Sequence, residues 1–159
     1  MRLPAVWTIA PEPLDSPDSE ALLRAYWHDI VERYYRHHED RSIDWSEVED
    51  AMDEYRTEGL AAWLVARWDG EPAGCAGLRR HGALTRMFIA PAYRRRGGAR
   101  LLVRAIEDAA RELGMTRLRI DTRNDLVEAQ RLYLAEGYDE VEPFNDDQYA
   151  ERFFEKRLV

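Results

Sequence analysis

The stretch Arg94-Arg95-Arg96-Gly97-Gly98-Ala99 lies between an apolar segment, Ala83–Ala90, and a segment with helical periodicity that begins at Leu102. Glycines let the backbone approach a bulky anion, and a helix N-terminus adds a partial positive charge of about 0.5. Arginines in such a turn can reach phosphate oxygens with forked hydrogen bonds. A strand, this loop and a helix, in that order, therefore predict a phosphate-binding turn.

Two other interpretations of this turn were weighed. Three consecutive arginines, taken alone, are typical of a solvated surface turn. The sequence contains neither GxxxxGK[ST] nor GxGxxG, so neither a Walker loop nor a dinucleotide-binding Rossmann turn fits. The neighbouring strand and helix favour the phosphate-binding interpretation.

Length and composition limit the classes of protein that remain. With 159 residues, 45% hydrophobic and 34% charged, we expect one soluble globular domain over residues 1–159. No apolar run approaches the ~20 residues of a membrane helix, and the start lacks a secretory apolar stretch. The single cysteine, Cys75, gives no internal disulfide. We expect a cytoplasmic protein without a membrane partner.

The charge balance bears on the kind of partner. A net charge of −8 argues against nucleic acid, which usually binds a basic surface. It is compatible with a cationic substrate, because an acidic cleft attracts amines over distance.

The order of elements predicts an α+β domain with a mostly antiparallel sheet. Ser16 and Asp44 are expected to cap two successive helices, the second ending at Gly59. Asp69-Gly70 between two apolar runs predicts a hairpin. The strands are expected at Leu3–Ile9, Ala61–Trp68, Glu71–Leu78, Ala83–Ala90, Leu118–Thr122, Tyr138–Val141 and Arg152–Val159.

The segment after the loop shows the clearest helical pattern. Its apolar stripe is expected to end at Leu113, with Gly114 closing the helix. Glu107 and Arg111 are four residues apart, which predicts an exposed pair on the opposite face. A second helical pattern carries Tyr133 and ends at Gly137.

Three segments in a fixed order resemble the GNAT superfamily, the Gcn5-related N-acetyltransferases. Arg86–Tyr93 is similar to the family's fourth strand and its exit. The family's next loop reads [QR]-x-x-G-x-[GA], and Arg94, Gly97 and Ala99 occupy those positions. Downstream, Ala129–Tyr138 is similar to the family's A-x-x-LY-x-x-x-G-[FY] segment. Pro143–Ala150 further resembles a bacterial subgroup of undefined substrate. The resemblance implies a GNAT-type α+β fold, a mixed, mostly antiparallel central sheet flanked by helices.

The resemblance implies acetyl-coenzyme A as co-substrate, in a splayed gap between the strands Ala83–Ala90 and Leu118–Thr122, and implies no metal. Tyr133 matches the family tyrosine that protonates the departing thiolate, although its spacing alone also fits a half-buried core aromatic. Backbone groups of the strand Ala83–Ala90 would pair with pantetheine, and the loop Arg94–Arg100 would hold the diphosphate. These coenzyme-binding positions are Met87, Phe88, Ile89, Arg94, Arg95, Arg96, Gly97, Gly98, Ala99 and Arg100.

The general base is left open by the sequence. An amine that is protonated at neutral pH must lose a proton before it attacks a thioester. Many relatives carry a glutamate where this chain has Ala83. The candidates are His81, Asp121, Asp147, or a water relay with no single base. Leu126 is a second departure, because many relatives have a coenzyme-contacting asparagine there.

The resemblance implies acetyl transfer to a primary amine, with a small molecule as the expected acceptor, and homodimers are common among relatives. Two alternatives stay open: a non-catalytic acyl-coenzyme A sensor, motivated by Ala83, and an N-acetyltransferase acting on a protein N-terminus or lysine. Aromatic residues such as Trp27 and Tyr34 fit either helix packing or an acceptor cleft. The run His37–Asp40 has no standard metal spacing and indicates a solvated helix end.

Overall fold

The order of secondary structure follows the predicted alternation of strands and helices. A computed structural model describes residues 6–38, 43–57 and 59–158. Its elements are β1 (Trp7–Pro11), α1 (Pro17–His37), α2 (Trp45–Thr57), β2 (Leu60–Trp68), β3 (Glu71–Arg79), β4 (Leu84–Ile89), a 3-10 turn (Pro91–Tyr93), α3 (Gly98–Glu112), β5 (Arg117–Thr122), α4 (Val127–Ala135), β6 (Asp139–Glu140) and β7 (Arg152–Arg157).

The strands form two antiparallel sheets that meet at one point. The first has the order β1-β2-β3-β4 and the second the order β5-β7-β6. A single parallel bridge between Ala83 and Arg119 joins them. The predicted α+β fold with a mixed, mostly antiparallel sheet is therefore confirmed.

The β2–β3 hairpin turns where the sequence predicts. Asp69 and Gly70 have φ values of 49° and 85°, the two positive values that a tight two-residue hairpin turn requires. Trp68 pairs with Glu71 across the turn. On its other side Trp68 pairs with Trp7 of β1, so the hairpin also fixes the edge strand.

The strands of the first sheet place apolar side chains on both of its faces, and helices cover both faces. Leu22 and Leu23 of α1 pack on one face with Trp63 and Phe88. The other face packs against α3 and continues under the second sheet and α4. That cluster includes Leu64, Leu78, Leu102, Ile106, Ile120, Tyr133 and Phe154.

The predicted boundaries of the first strand need correction. The first strand covers Trp7–Pro11 rather than Leu3–Ile9, and the part of that prediction before residue 6 lies outside the described residues. Pro11 fits in the strand because β1 is an edge strand, where a missing N–H costs no internal bond. Ser16 caps α1 as predicted, accepting a hydrogen bond from the Ser19 amide at 3.0 Å.

The apolar stripe of α3 is rotated relative to the prediction. Leu113 is 55% exposed, and Glu107, expected on the solvent face, is 3% exposed. Tyr138 donates its hydroxyl hydrogen bond to Glu107 at 2.7 Å, and Lys156 Nζ donates to both carboxylate oxygens at 3.0 and 3.2 Å. Lys156 Nζ also donates to the Glu136 carbonyl at 2.8 Å. A charge can be buried here because it is paired and hydrogen-bonded.

Candidate active site

The two sheets separate along β4 and β5, leaving a wedge-shaped gap. The strands are held together at one end, where the Arg119 amide donates to the Gly82 carbonyl at 3.0 Å beside the Ala83 bridge. Past that bridge, the described strands form no further ladder with each other. The wide end lies at the carboxyl ends of both strands, next to the arginine-rich loop. The predicted separation of these strands is present.

A bulge in β4 contributes to this separation. The register with β3 shifts by one residue between Cys75 and Gly77. Arg86, opposite the shift, has a φ of 53°, which is uncommon for a residue other than glycine. Bulges bend a strand and increase its twist. The bulge lies in the part of β4 past the Ala83 bridge, where no ladder joins β4 to β5.

The segment 94–100, here called the arginine loop, follows β4 and enters α3 directly. Arg95 and Gly97 have positive φ values of 64° and 80°. Gly97 is the N-cap of α3. The first hydrogen bond of the helix runs from the Leu101 amide to the Gly97 carbonyl at 3.3 Å. Because the first-turn amides of a helix lack intrahelical partners, they and the helix dipole suit an anion.

The side chains of the three consecutive arginines that open the loop have different surroundings. Arg94 Nε donates to the Ile89 carbonyl at 2.8 Å, and its Nη2 lies 3.6 Å from Asp29 of α1. The Arg96 guanidinium stacks 4.9 Å above the Trp68 ring. Within the described parts of the chain, the exposed Arg95 side chain makes no hydrogen bond or ion pair. Arg95 is therefore the one best placed to turn towards a ligand.

An unexpected contact joins the arginine loop to the edge strand. Trp7 Nε1 donates to the Arg96 carbonyl at 2.8 Å. A Cβ atom added to Gly98 would lie 2.4 Å from the Trp7 ring, so the indole rests directly on this glycine. The sequence analysis missed Trp7, because nothing in its local pattern links the first strand to a loop nearly ninety residues away.

The predicted pantetheine-binding residues line the edge of the gap. Phe88 and Ile89 are 5% and 9% exposed, and Met87 is half-buried against the α3-side cluster. The Ala90 amide donates to Ala73 of β3 at 2.8 Å. The Ile89 carbonyl and the Ala90 amide belong to one peptide group and point in opposite directions. Because the amide faces β3, the Ile89 carbonyl points towards the gap. Arg94 bonds that carbonyl from outside.

Tyr133 of α4 is 3% exposed. Its ring lies 6.0 Å from Tyr138 and 5.9 Å from Phe154. Burial, reinforced by Tyr26 and by the negative charge of Asp121, raises the Tyr133 pKa above its usual range. Its hydroxyl therefore stays protonated at neutral pH.

The three side chains considered as general base lie in different places. His81 is exposed in the turn before β4, at the joined end of the gap, about 20 Å of strand from the arginine loop. Asp147 is exposed, and its Oδ1 accepts the Tyr149 amide hydrogen bond at 2.8 Å in a local turn. Asp121 lies near the wide end of the gap, as the second-to-last residue of β5. Asp121 is among the charges that raise the Tyr133 pKa, and His81 is not.

Asp121 has an unusual environment for a carboxylate. Its Oδ2 accepts a hydrogen bond from Asn145 Nδ2 at 3.0 Å. Although the residue keeps an exposed fraction, the atoms crowded around the carboxyl raise its pKa by removing solvent, and the nearby charge of Asp147 adds to this effect. Asn145 and Arg79 act in the opposite direction.

The C-terminal half of α1 spans the wide end of the gap. Tyr34 of α1 packs edge-to-face against Tyr149 at 5.4 Å, and the Arg123 guanidinium lies 5.4 Å from the Tyr34 ring. Arg33 forms a forked ion pair with Glu128 of α4. We call Tyr26, Tyr34, Asp121, Asn145 and Tyr149 the facing wall; Tyr34 contacts Tyr149, Asn145 bonds Asp121, and Tyr26 packs against Phe88 of β4.

Other candidate features carry no chemistry in this arrangement. Among residues 6–38, 43–57 and 59–158, no group of three His, Cys, Asp or Glu side chains could hold a metal ion. His38 Nδ1 lies 2.9 Å from the Tyr34 carbonyl, and Glu39-Asp40 lie outside the described residues. Cys75 is fully buried, which raises its thiol pKa and leaves it inert.

Within the same described ranges, no helix has the length and apolar character that crossing a membrane requires.

The structure thus combines a four-stranded antiparallel sheet that diverges from a second sheet with a helix start suited to an anion at the divergence. Residues 20–138 match the Acetyltransferase (GNAT) family, and the chain belongs to this family. The family and fold predicted from the motifs are confirmed.

Sequence relatives agree with this assignment. The chain is similar to YedL of Escherichia coli (strain K12), an uncharacterized N-acetyltransferase, with 36% identity over 98 residues, 57% of this chain and 60% of YedL. It is 29% identical over 102 residues to YsnE of Bacillus subtilis (strain 168), also an uncharacterized N-acetyltransferase, covering 60% of this chain and 66% of YsnE. The aligned segment spans less than two thirds of either relative.

Solved structures share the fold at low sequence identity. A GNAT acetyltransferase from Staphylococcus aureus Mu50 superposes with a TM-score of 0.74 and 17% identity, covering 97% of this chain and 100% of that chain. A GNAT acetyltransferase from Elizabethkingia anophelis, solved with acetyl-CoA bound, has a TM-score of 0.65 and 16% identity, covering 95% of this chain and 97% of that chain.

Proposed function

We propose that this chain transfers the acetyl group of acetyl-coenzyme A to a primary amine of a small molecule. The observation that carries the proposal is the outer edge of β4, which past the Ala83 bridge pairs with no described strand and opens beside the arginine loop and the start of α3. Membership of the GNAT family supports acetyl transfer. The acetyl-CoA bound in the Elizabethkingia neighbour supports the choice of co-substrate.

The residues of the gap fit such a co-substrate. First-turn amides of α3, with Arg95 and Arg100 nearby, would hold a diphosphate by charge and hydrogen bonds. The β4 edge at Met87–Ile89 would pair with the amides of an extended pantetheine arm, as a sheet edge pairs with an added strand. Arg94 occupies only part of the Ile89 carbonyl, because a carbonyl oxygen has two lone pairs.

Proton transfer divides between two residues at the wide end. The thioester supplies an activated acyl carbon. Asp121 takes the proton of the acceptor ammonium, which frees the nitrogen lone pair to form the new C–N bond. Tyr133, protonated because it is buried, gives its proton to sulfur as the C–S bond breaks. As the C–S bond breaks, the nitrogen loses its second proton, which restores the Tyr133 phenol through solvent. The products are the acetamide, a neutral thiol and the one proton taken up by Asp121, which is released to water.

The choice of Asp121 over the other candidates rests on position. His81 lies at the joined end of the gap, and Asp147 is committed to its own turn. Asp121 influences the Tyr133 hydroxyl electrostatically, and its crowded carboxyl is a better proton acceptor than a solvated one.

The facing wall supports a small acceptor rather than a protein. Contacts of α1 with Tyr149 and Glu128 cross the wide end of the gap, which favours a small acceptor over a folded partner. The carboxylate of Asp121 suits the positive charge of an amine.

The test combines coenzyme binding with turnover. Acetyl-coenzyme A is titrated by calorimetry, and thiol release is then followed with a panel of primary amines, amino acids, aminoglycosides and an unstructured lysine peptide. The buried thiol of Cys75 leaves the assay background low. We expect acetyl-coenzyme A to bind and at least one small primary amine to give thiol release. The tertiary analogue of that amine should give no thiol release. No binding overturns the proposal. Binding without release favours the sensor, and release with the peptide alone favours a protein acetyltransferase.

A further inference from the structure

The contact between Trp7 and the arginine loop fixes the orientation of one peptide group. The Arg96 carbonyl accepts the Trp7 Nε1 hydrogen bond at 2.8 Å, so this oxygen faces the edge strand. A carbonyl oxygen turned towards the start of α3 would repel a phosphate, whereas amides there attract it. A hydrogen bond from another strand thus removes a backbone acceptor from the anion-binding surface.

The same indole sets how closely the loop approaches β1. Its Cζ2 and Cη2 atoms lie 2.4 and 2.5 Å from the position a Cβ would take on Gly98. Real Cβ atoms do not approach other atoms so closely, so position 98 must be glycine while Trp7 stays in place. Gly98 is buried at the first position of α3.

Trp7 is itself held by its cross-strand partner. Trp7 and Trp68 face each other in the β1–β2 register and pack edge-to-face at 5.2 Å. Aromatic pairs of this geometry are favourable beyond their buried area. The Arg96 guanidinium then stacks on Trp68 at 4.9 Å. The tight turn at Asp69-Gly70 directly follows Trp68, so a rigid hairpin supports the whole assembly.

We propose that Trp7 is a positioning residue for coenzyme binding: its indole holds the Arg96 carbonyl away from the ligand and seats Gly98, so that the loop amides are oriented towards a diphosphate. This inference rests on the proposed function. Trp7 would not touch the coenzyme diphosphate; it would act through the loop. Trp68 supports it by fixing the indole and the Arg96 side chain.

The first test compares Trp7→Phe with Trp63→Phe. Trp63 Nε1 donates to Ser19 Oγ at 2.9 Å on the opposite face of the sheet, so both variants lose one indole hydrogen bond. For Trp7→Phe we expect a coenzyme A Kd and an acetyl-coenzyme A KM raised about three- to tenfold, with kcat at saturation nearly unchanged. Trp63→Phe should lower the melting temperature without changing coenzyme affinity.

A second test uses Gly98→Ala in the wild-type and Trp7→Ala backgrounds. The added methyl group must displace the indole in the first background but meets an emptied space in the second. We therefore expect Gly98→Ala to weaken coenzyme A binding strongly in the wild type and much less in Trp7→Ala, a non-additive pair. In both backgrounds, coenzyme A affinity is measured by calorimetry, and thermal melting controls for folding.

The outcomes separate this inference from the proposed function. If wild-type protein does not bind coenzyme A, the proposed function itself fails. If wild type binds but Trp7→Phe binds equally well, or if the Gly98 and Trp7 effects simply add, Trp7 is a structural tryptophan and the positioning role is wrong.

Discussion

The arginine loop and the facing wall border the same gap but are built in different ways. The loop is one continuous segment, held by a backbone carbonyl bond from Trp7 and by aromatic stacking on Trp68. The facing wall collects Tyr26, Asp121 and Tyr149 from distant parts of the chain. Its supporting contacts include ion pairs and polar side chains, such as Arg33–Glu128 and Asn145–Asp121.

This difference predicts how each region responds to conditions. The Trp7 hydrogen bond joins two uncharged groups and is insensitive to pH and salt, whereas exposed ion pairs weaken as ionic strength rises. Coenzyme binding should therefore depend on the braced geometry of the loop. Acceptor binding and proton transfer should respond to changes in the charges of the wall.

The largest effect is expected where the two regions meet, at Tyr133. Tyr133→Phe removes a hydroxyl from an aromatic ring of the same shape, so the fold and coenzyme affinity should be kept. If Tyr133 protonates the leaving thiolate, kcat should fall by roughly 10²–10⁴. Steady-state thiol release and calorimetry measure the two quantities. A loss below threefold with the native melting temperature would show that Tyr133 only packs.

The next largest effect tests the wall itself, through Asp121→Asn. Asparagine keeps the shape and can still accept a hydrogen bond from Asn145, but it cannot take up a proton. We expect kcat/KM to fall by about 10² and the rise of rate with pH to flatten, with coenzyme affinity unchanged. Asp147→Asn is the matched control, with the same charge change nearby. Equal losses in both variants would point to charge alone.

Asp121→Asn also carries a stability prediction of definite sign. The folded-state pKa of Asp121 is raised, so its ionised form is disfavoured by the fold. Stability falls as the pH rises from the unfolded value of about 3.9 through the folded value. The variant should therefore melt at the same or a higher temperature than wild type at neutral pH. A clear drop in melting temperature would assign Asp121 a structural role.

A smaller effect is expected when the side chains that hold the loop are removed. Arg94→Ala with Arg96→Ala loses the Ile89 carbonyl bond and the stack on Trp68. We expect the coenzyme A Kd to rise about tenfold, with little change in amine KM. Arg117→Ala with Arg131→Ala is a control of equal charge change on the exposed surface. Unchanged affinity in the first pair would remove the loop from the site.

The smallest effect concerns the ion pair that ties α1 to α4. The hydrogen bond from Arg33 holds the Glu128 pKa below its usual range, so the contribution of the pair is lost as the pH falls through that value. Exposed pairs are worth at most ~1 kcal/mol, so Glu128→Gln should lower the melting temperature by about 3 °C or less. The difference from wild type should vanish in high salt and acid. A persistent difference would mean that packing, rather than charge, holds α1.

The contrast also explains which features the sequence could predict. The loop, its flanking strand and helix, and the Asp69-Gly70 hairpin are local patterns, and their positions are confirmed within a few residues. The rotation of α3 was missed because the buried Glu107 meets Lys156 only after β7 folds back. Trp7 was missed for the same reason. The site roles of Tyr133 and the loop residues stay predictions.

Lys156 is the only lysine in the sequence, and its amine is enclosed by Glu107 and the Glu136 carbonyl. The basic surface of the protein is otherwise made of guanidinium groups, which thioesters do not acylate. Lysine-directed dyes, cross-linkers and immobilisation resins should therefore react poorly with the folded chain. With Cys75 buried as well, one cysteine introduced on the surface would give a single, selectively labelled position for following the gap between β4 and β5 by fluorescence.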